Sequence, residues 1–255
     1  QFARSSFRLA AVFGMIATLM TIQMGDESGY LVTKDQPTKI AAMEAIWETH
    51  EAPAPLTLFA IPDEAAQTNH AQIDVPWLFG LMGTRSLSTE IPGIKELTAQ
   101  AEQRIVNGQK AIGVLEQLRK DPANEQLREQ FLAVRDDLGF GLLLKRYTND
   151  VNAATPEMIK QAAADTIPSV TPMFWSFRIM VGSGLAMALV FVLGLFYSFR
   201  NEIAEKAWYL RLAVLALPLP WIASEAGWFV AEYGRQPWTI YNVLPTHLSV
   251  SALTA

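Results

Sequence analysis

The stretch WYLRLAVLALPLPWIASEAGWFVAEY (Trp208–Tyr233), followed at once by GRQPW (Gly234–Trp238), decides how the chain is read. It is apolar and long enough to cross a bilayer, which takes about 20 residues of helix. Yet it carries Glu225 and Glu232. A charge near the bilayer centre costs at least about 2.5 kcal/mol, so such carboxylates face a bundle interior, a proton path or a cofactor. Pro218 and Pro220 lie inside the stretch and predict a kink, tolerated where neighbouring groups satisfy the freed carbonyls. Arg235 follows Glu232 by three residues, and Pro237 with Trp238 is expected to end the helix near the interface, where aromatic side chains anchor.

Working outward, two more spans emerge. Arg8 and Asp26 enclose 17 uncharged residues, Leu9 to Gly25, and Arg178 and Arg200 enclose 21, Ile179 to Phe199, with apolar character reaching back to Pro172. The expected organisation is a transmembrane helix over 1–24, a large insert over 25–168, and a second span over 172–199. A short loop over 200–207, the third span over 208–233, and the motif plus the start of a further helix over 234–255 complete it. The expected fold class is an all-α membrane protein, a multi-pass helix bundle with a large helical extracytoplasmic loop.

Composition agrees. Of 255 residues 51% are hydrophobic and 18% charged, with mean hydropathy +0.17, the profile of spans mixed with a polar region. With no cysteine, these residues can form no disulfide, thiolate metal site or iron–sulfur cluster, so a cofactor must use His, Met or carboxylate. The insert holds 13 Lys plus Arg against 21 Asp plus Glu, net −8, leaving +3 elsewhere. Arg4 and Arg8 before the first span, and Arg200, Lys206 and Arg211 around the second loop, place those ends inside by the positive-inside rule. The acidic insert and the GRQPW end of the third span then share the outer face. Acidity and spans argue against nucleic-acid binding. The chain opens on Gln without a signal-peptide pattern, and Leu248 to Ala255 reads as the beginning of another apolar element, so a piece of a longer chain is expected.

Within the insert, Ile94, Leu97, Ala101, Ile105, Ile112, Leu115 and Leu118 recur at helical spacing, as in an amphipathic helix broken or loosened near Asn107-Gly108. A second helix is expected over Ala123 to Asp137. A third opens at Thr155-Pro156-Glu157, Thr as N-cap and Pro in the first turn, and runs to about Thr166. Thr38 to Trp47 reads as a short helix whose apolar stripe, Ile40, Met43 and Trp47, also carries Glu44, with Lys39 on its flank. A ligand such as a quinol headgroup lying there could meet an amine and a carboxylate together, and a desolvated Glu makes a proton acceptor. The alternative is a solvated pair on a surface helix.

In the second span Met180 lies about 12 Å inside Pro172, beside Gly182 and Gly184, which would let a flat macrocycle or another helix approach. Its thioether could ligate haem iron, or simply pack. Arg178, in the same turn, needs a partner at that depth, such as a haem propionate. His50, His70 and His247 lie outside the spans, so a haem needing histidine must borrow it from elsewhere. Hydrolase, phosphate-loop and dinucleotide motifs are absent. A proton- or ion-coupled transporter using Glu225, Glu232, Arg178 and Arg211 as a relay is a second reading of the same residues, and a purely structural membrane subunit a third.

GRQPW, the preceding EAGWFVAEY (Glu225–Tyr233), FRIM (Phe177–Met180), the Lys39–Glu44 segment, GDESGY (Gly25–Tyr30) and GFGLLLKRY (Gly139–Tyr147) together resemble subunit I of cytochrome bd quinol oxidase across essentially the whole chain. The resemblance implies that the insert is the family's quinol-binding loop, of the long type, in a bacterial cytoplasmic membrane protein. It implies quinol binding and oxidation for Lys39 and Glu44. It implies Met180 as ligand of the low-spin haem b, whose other ligand is a histidine in an earlier helix, with Arg178 supporting that haem. It implies Glu232 as ligand of the high-spin haem b, with Trp228 and Arg235 near the high-spin haem b and haem d; the haem d histidine lies outside this chain. Ubiquinol or menaquinol, oxygen, membrane lipid, subunit II and a small single-helix subunit are the implied partners. Glu225 has no implied role.

Overall fold

The computed structural model describes residues 2–251. Helix α1 (Phe2–Asp35) has 34 residues, about 51 Å at 1.5 Å per residue, which exceeds the roughly 30 Å hydrocarbon core. Its last turns, Asp26 to Asp35, therefore project beyond the membrane, and the first eleven residues of the expected insert, 25–35, continue the helix. The helix stops only at Gln36 (φ −134°), because Pro37 disfavours helical backbone in the residue before it. Pro37 then opens α2 (Pro37–Glu44), which ends where Ala45 turns left-handed at φ 52°.

The chain next forms an element that the helical reading of the insert missed, an antiparallel hairpin of β1 (Leu56–Asp63) and β2 (Thr68–Val75). Asp63 caps its turn, one carboxylate oxygen accepting from the Ala65 and Ala66 amides at 3.0 and 2.9 Å. A π-helical turn (Gly80–Thr84) leads to α3 (Ile94–Lys120), α4 (Glu125–Val134), α5 (Leu138–Leu143) and α6 (Pro156–Ala164). Thr155 caps α6, its hydroxyl accepting from Met158 N at 3.4 Å, with Pro156 in the first turn as the sequence predicts. The second span is α7 (Val170–Phe199), and the third divides into α8 (Ala207–Leu215) and α9 (Leu219–Tyr233), the break ending at Pro218, with Pro220 in the first turn of α9. A small hairpin of β3 (Trp238–Ile240) and β4 (Leu244–Pro245) follows, and residues 252–255, part of the expected further helix, lie outside the described residues.

Two expectations fail here. Helix α3 is continuous through Asn107-Gly108 for 27 residues. Gly108 serves packing instead: a Cβ there would collide with the backbone of Asp137 and Gly141, so its absence lets α5 cross α3 at close range. Asn107 and Arg104 strengthen the crossing by donating to the Asp137 carboxylate at 3.1 and 2.6 Å. Gly108→Ala is accordingly expected to destabilise the insert by about 1–3 kcal/mol, the usual cost of overpacking, read as a lower melting temperature of the purified protein. The second failure is Trp238, which is no interfacial anchor. It is 2% exposed and packs on Phe140 with ring centroids 5.1 Å apart, inside an apolar cluster with Ile105, Leu144 and Ala162. The GRQPW turn is thus folded into the insert.

The other apolar cluster positions the site. Ile40, Ile46 and Trp47 from α2 and the turn after it meet Ile94 and Leu97 of α3, Met173 and Phe174 of α7, and Val230 of α9. Helix α2 is therefore clamped between the insert and the ends of two spans.

Candidate functional site where the insert meets the spans

Every residue from Lys39 to Trp47 is buried, so α2 is not the solvated surface helix that its charges allowed. Glu44 is 3% exposed, and its carboxylate accepts from Arg178 Nη2 on α7 at 2.8 Å. The guanidinium also donates from Nη1 to the carbonyls of Met43 (2.8 Å) and Phe174 (3.3 Å) and from Nη2 to that of Thr57, and it lies 3.4 Å over the Phe174 ring centroid. The partner that an arginine at this depth requires is thus Glu44. Burial pushes the Glu44 carboxyl up to about 7, and the Arg178 charge and hydrogen bond oppose that rise without cancelling it.

Lys39, 8% exposed, points elsewhere. Its Nζ donates to Ala231 O at 3.3 Å, a carbonyl in the last turn of α9, where a cation also suits the helix dipole. Its stem passes Gly234, where a Cβ would meet Val230 O at 2.5 Å, Met173 Cε at 2.6 Å and Lys39 Cε at 3.0 Å, so a side chain there would crowd the last turn of α9 as well as the lysine. Burial lowers the Lys39 pKa, Glu232 opposes that shift, and Arg235 adds to it. Glu232 and Arg235 pair with each other at 2.5 Å across one turn, both side chains under half exposed. Lys39 and Glu44 stand five residues apart, about 140° around the helix, so they engage different spans and do not present amine and carboxylate side by side.

Met180 is half-buried against α9: its Sδ is 3.0 Å from where a Cβ on Gly227 would lie. Gly182 and Gly184 have no neighbour within 4 Å of the Cβ position, an open stretch of α7 on the same turn. On α9, Glu225, Trp228 and Glu232 follow each other at three and four residues and so share one face, on which Trp228 is 65% exposed and Glu225 exposed. The sequence-predicted residues therefore fall into three groups: Glu44 with Arg178, Lys39 with Glu232 and Arg235, and Met180 beside Gly227, with Trp228 apart. Sequence reading missed the carbonyls of Met43, Thr57 and Ala231, since backbone acceptors leave no mark on residue type. A cavity of about 240 Å³ lies between α1, α2 and the 83–92 segment, lined by Thr33, Lys34, Ile40, Thr84, Glu90 and Ile91 among others, with Glu44 and Arg178 outside its lining. Ile40 lies one helical turn from Glu44.

Three helices long and apolar enough to cross a membrane, capped by an ordered insert with a buried acid–cation pair at the junction, define a multi-pass membrane subunit. The chain belongs to the cytochrome bd terminal oxidase subunit I family, whose family model matches residues 1–255. It is 42% identical over 252 residues to "Cytochrome bd-II ubiquinol oxidase subunit 1" of Escherichia coli (strain K12), covering 99% of this chain and 49% of that protein. In Bacillus subtilis (strain 168), "Cytochrome bd ubiquinol oxidase subunit 1" is 29% identical over 98% of this chain and 42% of its own length, and "Putative cytochrome bd menaquinol oxidase subunit I" is 23% identical over 96% and 41%. The chain thus spans about half the length of the curated relatives it matches. The family match lends no support to the transporter reading of Glu225, Glu232, Arg178 and Arg211.

Proposed function

We propose that the protein containing this chain is the catalytic subunit of a respiratory quinol:oxygen oxidoreductase, and that Glu44 takes the proton from the quinol. The supporting observation is the burial of Glu44 on Arg178, which sets its carboxyl to about 7, where it can both accept and release a proton near neutral pH. A quinol hydroxyl gives one of the two protons lost on oxidation to Glu44, which becomes neutral and must release it before taking the second; the two electrons would be accepted by haem when it is bound. Arg178 holds the carboxylate in place and is itself fixed by its three backbone bonds. Lys39 positions α2 against the end of α9 and keeps a cation beside Glu232.

The residues present fit haem. Met180 offers a thioether for the low-spin haem b, with the open stretch at Gly182 and Gly184 next to it. Buried Nε atoms on Arg178 and Arg235 have no hydrogen-bond partner among the described residues, as suits guanidinium groups that also meet an anionic propionate. Glu232, held by Arg235 and partly exposed, would ligate the high-spin haem b, and the open face with Trp228 would lie towards that haem and a haem d-type centre. Bound, the haems would supply the one-electron acceptors and the centre at which oxygen is reduced to water.

This reading places the protein in a bacterial cytoplasmic membrane, with the 25–168 insert on the outer face, so protons from quinol are released outside and those for water are drawn from the cytoplasm. The resulting charge separation builds proton motive force. Ubiquinol or menaquinol, a second large subunit and a small single-helix subunit are the expected partners. The test is anaerobic: quinol added to the full-length, assembled oxidase should reduce its haems to the extent that dithionite does. Haems that dithionite reduces but quinol does not would overturn the proposal.

A further inference from the structure

The hairpin and the π-helical turn hold apolar side chains at the level where the spans enter the membrane. Strand β1 runs down the first turns of α7: Glu64 accepts from Thr171 N at 2.9 Å, Phe59 meets Trp175 with ring centroids 5.5 Å apart, and Thr57 O accepts from Arg178. From Thr171 to Arg178 is about 10 Å along the helix. Arg178 is the last charge before the 21 uncharged residues of α7, so the Thr57 end of the hairpin lies at the hydrocarbon border. Helix α1 gives a second, independent marker. Arg85, just after the π-helical turn, pairs with Asp26 at 3.3 Å and Glu27 at 2.5 Å, the first charges after the 17 uncharged residues of α1.

The segment between these two markers is therefore held at that border, and in it Trp77, Leu81 and Met82 are 52, 50 and 46% exposed. Leu58 and Ile73, on the lower half of the hairpin, are exposed too. The polarity is graded: Asp63, Glu64 and His70 sit at the far end, while Asp74, the charge at the near end, is tied to Thr57 and Gln72. An exposed tryptophan with aliphatic neighbours at the hydrocarbon border is the pattern of a lipid-contacting interfacial element.

We propose that Trp77, Leu81 and Met82 insert into the phospholipid leaflet on the insert's side and pin the hairpin to the membrane surface. The π-helical turn thereby fastens the insert twice, to α1 through Arg85 and to lipid through these side chains.

The test places single cysteines by Leu81→Cys and Met82→Cys, with His70→Cys as reference, in an otherwise cysteine-free full-length subunit. Each carries a fluorophore, in assembled oxidase reconstituted in phosphatidylcholine vesicles. Nitroxide-labelled phosphatidylcholine is expected to quench most of the emission at 81 and 82 and little at 70, and aqueous iodide to do the reverse. Iodide quenching at 81 and 82 equal to that at 70 would overturn the proposal by showing an aqueous surface. Quenching there by neither reagent would overturn it by showing that another protein segment or subunit covers the patch. Because the readout does not depend on turnover, failure here leaves the assignment of Glu44 standing.

Discussion

Glu44→Gln, made in the full-length subunit of an assembled oxidase, is expected to lower quinol-driven oxygen uptake by about 10²-fold or more, the usual contribution of a positioned proton acceptor. The substitution keeps the shape of the side chain and an oxygen for Arg178 Nη2, but it removes the base. Arg178 retains the carbonyls of Met43, Phe174 and Thr57 and the face of Phe174, so its position does not depend on Glu44 alone. Leaving a buried cation without its counter-charge still costs about 3–5 kcal/mol, which is why the haem spectrum must be shown intact before turnover is compared. Dependence on pH separates the two roles of the carboxylate. As a base it acts ionised, so wild-type kcat/KM should rise as pH increases through about 7, and the Glu44→Gln enzyme should lack that limb. Stability runs the opposite way. The folded-state pKa lies above the unfolded value of 4.5, so this group's contribution is full below that pH and is lost as pH rises through about 7. A variant with wild-type haems and undiminished turnover would remove Glu44 from the reaction.

Met180→Leu is the second large effect. Leucine nearly conserves the methionine's volume, and such swaps usually cost less than about 1.5 kcal/mol, so the contact with Gly227 and the α7–α9 packing should survive. Only the sulfur is lost. The reduced-minus-oxidised spectrum of the assembled oxidase is expected to lose its low-spin haem b component while the high-spin components persist. An unchanged low-spin component would mean that Met180 only fills the space over Gly227.

Much of the architecture is legible in residue type alone. Two uncharged runs bounded by charges and one long apolar stretch carrying Arg211, Glu225 and Glu232 give the spans, and Thr155-Pro156 gives the start of α6, because burial and capping are local demands that sequence must meet locally. Close approach is not local. Gly108 reads as a helix breaker until Gly141 is seen against it, and Trp238 reads as a membrane anchor until Phe140 is found under its ring. The β1–β2 hairpin escaped because its pairing is interrupted by register shifts between Thr57 and Phe59 and between Phe59 and Ile61, which blurs the two-residue alternation.

At the site, sequence singled out the ionisable residues and not their pairing. Arg178 is 134 residues from Glu44, a separation over which no periodicity operates, and only the fold brings the two within 2.8 Å. The opposite aim of Lys39 follows from five-residue spacing, yet the carbonyl that receives it belongs to another span. Glu225 shares a face with Trp228 and Glu232, and the exposure of Glu225 and Trp228 shows that face of α9 to be open.

The central claim is that Glu44 exchanges a proton near neutral pH. Infrared difference spectroscopy of the assembled oxidase, titrated across neutral pH with Glu44→Gln as the control, reads its carboxyl stretch directly. The account predicts a protonated-carboxyl band that disappears as pH rises through about 7 and is missing from the variant. A Glu44 carboxyl that stays ionised down to the ordinary carboxylate range would contradict it.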